Sequence, residues 1–93
     1  MLPRRKIMKQ YIAVFKSKTD VFGFIERMKS YGFYTTAVST PKEAHQGCGL
    51  SALFPANGIY YARNLINSGA FKSFYGIFVI ESDFARRTTR RIY

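Results

Sequence analysis

The chain has 93 residues, 47% of them hydrophobic, with seven Tyr and nine Phe, enough for one domain with a real core. Its formal net charge is +10, yet eight of the fifteen basic residues sit in the two ends, and the stretch from Tyr11 to Ser82 holds seven basic against four acidic side chains. One Cys and one His exclude an intrachain disulfide framework and a cysteine-rich zinc site, the few carboxylates argue against another metal site within one chain, and no apolar run of about 18 residues is present to span a membrane.

In chain order, residues 1–9 read as a basic extension carrying Arg4, Arg5, Lys6 and Lys9. No apolar targeting segment follows them, so a cytoplasmic location is expected. Tyr11 to Phe15 is an apolar run of strand formers. Ser17-Lys-Thr-Asp20 opens a helix in the manner of a capping box, with Val21, Phe22, Ile25 and Met28 at helical spacing and Gly32 as its stop. Phe33 to Ser39 returns to strand residues and ends at Pro41. Cys48 to Phe54 reads as a third strand, Ala56 to Asn67 as a second helix with Gly69 past its end, and Phe74 to Glu81 as a fourth strand.

This β-α-β-β-α-β order predicts a ferredoxin-like α+β domain over 10–82: a four-stranded antiparallel sheet in order 4-1-3-2 with two helices on one face. Residues 83–93 form an Arg-rich C-terminal tail with no apolar pattern to fold it. The fourth strand is apolar on both faces, with Phe74, Phe78 and Ile80 expected on one and Tyr75, Ile77 and Val79 on the other. A sheet whose second face is both apolar and bare implies self-association, most simply a homo-dimer.

The chemistry concentrates in Ser39 to Leu50, which contains the single Cys and the single His. Cys48 stands between Gly47 and Gly49, so no neighbouring Cβ shields the thiol. In the expected topology the start of the third strand lies beside the end of the first, where the first helix begins. Cys48 then faces the positive end of a helix dipole near Lys16, Ser17 and Lys18, surroundings that favour an anionic sulfur. Lys42 belongs to the same loop, and His45, three residues before the thiol, is a candidate to orient or deprotonate it. The plain alternatives are a structural thiol and a solvated loop His.

On three segments the sequence resembles a known family, the putative Se/S carrier protein-like proteins, small bacterial domains. Ala13-Val-Phe-Lys-Ser17 is similar to their opening strand and helix start, Thr40-Pro41-Lys42-Glu43 to their proline loop, and Cys48-Gly49-Leu50 to their cysteine turn. Ser39 stands where the loop's first proline is expected, and the Arg-rich tail is additional. The resemblance implies a carrier that holds a persulfide or selenosulfide on Cys48. Its partners would be a sulfur or selenium donor, such as a cysteine desulfurase, and an acceptor protein. It implies no cofactor and no independent enzymatic activity.

Two rival readings come from other classes. Tyr75-Gly-Ile-Phe-Val-Ile80 resembles part of the aromatic RNP1 signature of RNA-recognition domains, but it falls on the fourth strand rather than the third. Arg86, Arg87, Arg90 and Arg91 are the candidate contacts to nucleic acid or an acidic partner. The second rival is a plain assembly module that uses the apolar sheet face and carries no chemistry.

Overall fold

The structure, a computed structural model, describes residues 8–45 and 48–93. Strand β1 (Met8–Phe15) is central, antiparallel to β3 (Leu50–Pro55) on one side and to β4 (Phe74–Ser82) on the other. Ile12, Ala13, Val14 and Phe15 are all fully buried, which explains why this segment is an unbroken apolar run and does not alternate. Ala13 and Phe15 face the two helices, whereas Ile12 and Val14 face the opposite layer.

Helix α1 (Lys18–Ser30) starts as the sequence predicts. The extended Ser17 accepts the Asp20 N–H on its hydroxyl at 3.1 Å. The reciprocal half of the capping box is taken over by Ser73, however. Its hydroxyl donates to Asp20 Oδ2 at 2.6 Å and accepts the Ser17 N–H at 3.1 Å, while its own N–H donates to the same carboxylate at 3.0 Å. The Lys16 N–H donates to the Ser73 carbonyl at 2.9 Å. A residue far along the chain thus completes the helix start and ties it to the turn before β4. At the other end Gly32 is left-handed (φ +91°), and the Phe33 and Gly32 N–H groups donate to the Met28 and Lys29 carbonyls. That is the Schellman pattern, and it needs glycine at the left-handed residue.

Val21, Phe24, Ile25 and Met28 bury the inner face of α1, and Phe22 points outward. Helix α2 (Ile59–Asn67), preceded by a single 3-10 turn at Ala56–Gly58, contributes Ala62 and Leu65 to the same layer. Aromatic rings fill the space between helices and sheet. Phe15 lies 5.4–5.7 Å from Phe24, Phe71 and Phe74, and Phe24 lies 5.8 Å from Phe54 and Phe71, in tilted and edge-on arrangements.

The α+β class, the antiparallel sheet and the two helices agree with expectation, but among the described residues the sheet has five strands rather than four, in order β2-β3-β1-β4-β5. The short edge strand β2 (Thr36–Ser39) pairs with β3. The added strand, β5 (Arg87–Arg91), comes from the segment expected to be an unfolded tail. It needs no apolar pattern, because the free edge of β4 supplies the ladder while most of the β5 side chains stay exposed. Gly76 leaves room for the Arg91 side chain to lie across β4: a Cβ there would stand 2.8 Å from Arg91 Nε. Beyond β5 the Ile92 N–H donates to the Ile77 carbonyl at 2.8 Å, and Tyr93 packs on Phe74 beneath the Arg63 guanidinium.

Two further corrections concern the face away from the helices. A bulge in β4 makes Val14 pair with Gly76 but Phe15 with Phe74, leaving Tyr75 as the extra residue. Phe74 therefore joins Ile77 on the helix side, and Tyr75 joins Phe78 and Ile80 on the other, contrary to simple alternation. That second face is also not bare. Ile12, Val14, Phe78 and Ile80 are buried within the chain, with Ala44, from the 3-10 turn Lys42–Ala44, packed against them.

Asp20→Ala should lower stability in urea by about 1.5–3 kcal/mol, because it strips a charged acceptor from two donors. The exposed Glu26→Ala should change it by less than about 0.5 kcal/mol. Removal of residues 83–93 should cost at least about 2 kcal/mol or cause aggregation, since it uncovers β4 and leaves its edge unpaired. A tail that only solvates the chain would leave the urea midpoint unchanged.

Candidate functional site

The end of β1 and the approach to β3 form the corner that holds the cysteine. The ladder runs from Gln10–Pro55 to Val14–Ser51, which brings the residues just before β3 level with Phe15 and Lys16. Gly49 takes the left-handed conformation (φ +80°), and its carbonyl accepts the Thr40 N–H at 2.9 Å. A side chain at residue 49 would strain this turn. The buried Ser51 shares a 2.6 Å hydrogen bond with the Thr40 hydroxyl, so the strand start is fastened twice to the end of β2.

Cys48 is a free, half-buried cysteine that packs against the helix-side core. Its Sγ lies 3.6 Å from the Phe15 carbonyl oxygen and 3.5 Å from that of Leu50, two acceptors within reach of its single S–H. The sequence places Cys48 correctly beside the end of β1, two residues from the Ser17 cap of α1. Its polar neighbours differ from expectation: among the described residues the hydrogen-bond partners of the sulfur are carbonyls, and no backbone N–H is among them. The first-turn N–H of Asp20 is already held by Ser17.

The other expected participants divide. Lys16 and Lys18 are exposed and adjoin the corner through the chain, as Ser17 does. His45 is exposed, and its Nε2 lies 3.7 Å from where a Cβ on Gly49 would stand, which puts the imidazole over the residue following the thiol. Gly47 lies outside the described residues. Lys42 has a different setting: together with Ser39, Thr40, Glu43, Arg87 and Thr89 it lines an open hollow of about 430 Å³ on the side of the sheet away from the helices. Nothing in the spacing of Lys42 and Arg87 signals that juxtaposition, since it depends on β5.

The four C-terminal arginines do not form one patch. Arg90 pairs with Glu81 at 3.3 Å. Arg91 donates to the Tyr75 carbonyl at 2.6 Å and lies over the Tyr75 ring. Arg86 and Arg87 have no ion pair among the described residues. The stacking platform of an RNA-recognition domain is also missing from the central strands: the face away from the helices presents Ile12 and Val14 on β1 and Leu53 on β3, with Ala44 and Val38 packed there. Among the described residues no three His, Cys, Asp or Glu side chains converge, and no helix is long and apolar enough to cross a membrane.

Comparison with known proteins gives one family. Residues 10–73, well over half of the chain, match the family described as "Putative Se/S carrier protein-like", and the matched span runs from β1 through α2 and includes Cys48. No curated protein and no solved structure matches the chain. With the cysteine corner and its proline loop inside the matched span, the chain belongs to the Se/S carrier protein-like family.

Proposed function

We propose that Cys48 carries a sulfane sulfur or selenium atom between a donor and an acceptor protein. The observation that carries this reading is a free, half-buried thiol beside Gly49, inside the span that matches the family. In the sulfur reaction the Cys48 thiolate attacks the outer sulfur of a persulfide on the donor. A new S–S bond forms at Cys48, the donor's S–S bond breaks, and the donor cysteine leaves as a thiolate. Delivery to the acceptor is the same exchange with Cys48 as the leaving group. With one cysteine in the chain, no second thiol of the same chain can discharge the cargo as a disulfide. The chain acts as a carrier rather than an independent enzyme, and a cysteine desulfurase is the natural class of donor.

The order β2-β3-β1-β4 supports reading the domain as ferredoxin-like with one added edge strand. Pairing of two copies, if it occurs, must use surface other than Ile12, Val14, Phe78 and Ile80, which are already covered within the chain. His45, whose exposed imidazole stands over Gly49, takes the thiol proton in this reading as Cys48 turns away from the Phe15 and Leu50 carbonyls.

Incubation with a cysteine desulfurase and cysteine, read by intact mass, should add one sulfur atom to the protein, removable by a reducing thiol. Cys48→Ser should stay at its starting mass while keeping the circular dichroism of the parent. A parent protein that gains nothing, or a serine variant that gains sulfur, would sink the reading. His45→Ala should slow loading by about tenfold, a small effect for a proton acceptor because water can partly replace it; an unchanged rate would leave His45 without a role.

A further inference from the structure

We propose that the hollow between the turn after β2 and strand β5 binds a small molecule bearing a phosphate monoester. Its walls come from two distant parts of the chain, the turn from Ser39 to Glu43 and β5 at Arg87 and Thr89. At about 430 Å³ it has room for more than a bare ion, within the range of small-ligand sites. Lys42 and Arg87 approach it from opposite walls, and neither has an ion-pair partner among the described residues. Two unpaired cations match the double charge of a phosphate ester better than a single carboxylate. The planar fork of Arg87 fits two phosphate oxygens at once. The hydroxyls of Ser39 and Thr89 add donors.

Glu43 is the one carboxylate of the lining and an acceptor only. It suits a ligand that carries hydroxyl or amine donors as well as the phosphate, which is why the ester is favoured over the free ion. The walls are held before any ligand arrives. Ala44 anchors the turn at 2% exposure, Thr40 is bonded to Ser51, and Arg87 and Thr89 are paired with Ser82 and Ile80 of β4. The remaining β5 arginines are engaged elsewhere, Arg90 with Glu81 and Arg91 with Tyr75, so the hollow is a bounded site rather than one stretch of a basic stripe. It stands apart from the carrier reading, because Cys48 packs with the helix-side core and the turn packs on the opposite face.

The test is a two-dimensional amide NMR titration of the full chain at constant ionic strength, with glycerol 3-phosphate, inorganic phosphate and oligouridylate as probes. Saturable shifts are expected at Thr40, Lys42, Glu43, Arg87 and Thr89, with the ester binding more tightly than the free ion. Lys42→Ala and Arg87→Ala should each weaken the ester by about tenfold, the loss of one charged hydrogen bond. Arg87→Lys, which keeps the charge but not the fork, should also weaken it, and Arg63→Ala should not. Equal affinity for both probes would overturn the ester and leave an ion site. Shifts that never saturate, that spread over the other arginines, or that survive Arg87→Ala would overturn the site altogether. So would tighter, spreading shifts with oligouridylate, which would make the basic surface a nucleic-acid contact.

Discussion

The fold depends on burying both faces of β1. Ile12 to Phe15 is wholly apolar and wholly buried, so this strand cannot lie at the surface of a two-layer domain with one side wet. Helices α1 and α2 supply one cover, with Phe15 at the centre of a cluster of phenylalanine rings. The other cover is thinner. It is made from the turn that carries Ala44, from the bulged Tyr75, and from the edges of β2 and β3 at Val38 and Leu53. Because that cover is a turn rather than a helix, its polar residues stay at the surface, where they can meet β5.

Sequence reasoning reads the first cover well and the second poorly, for physical reasons. Ser17, Asp20 and Gly32 act through local hydrogen bonds and local dihedral angles, which leave a signature in adjacent residues. The second half of the helix start is supplied by Ser73, and no local pattern announces a partner so far along the chain. Strand β5 is harder still. Arg87-Thr-Thr-Arg-Arg91 has β-branched residues at its centre but no apolar alternation, and its pairing is decided by the free edge of β4. The apolar faces of the fourth strand say nothing of its edge; they imply a second copy over the sheet, whereas Ala44 of the chain itself packs there.

The cysteine shows the same division. Its place beside the end of β1 follows from strand order alone, because β1 and β3 are neighbours and antiparallel. The direction of its sulfur does not. That depends on the left-handed Gly49 and on the two carbonyls within reach, at Phe15 and Leu50, details set by the path of the turn. Lys42, close to Cys48 in the sequence, lines the hollow on the face opposite the core in which Cys48 packs.

Both places of interest nevertheless share one foundation. The end of β2 and the approach to β3 are joined by the Thr40 N–H on the Gly49 carbonyl and by the Thr40 and Ser51 hydroxyls. On the β2 side Lys42 and Glu43 reach toward β5, and on the β3 side Cys48 lies against the end of β1. Ala44 is the residue that holds the 3-10 turn down on Ile12, Val14, Phe78 and Ile80. A buried β1 therefore fixes Ala44, and the two hydrogen bonds of Thr40 fix Gly49 and Ser51 beside it. The same apolar strand that requires a second cover thereby sets where the thiol and the hollow stand.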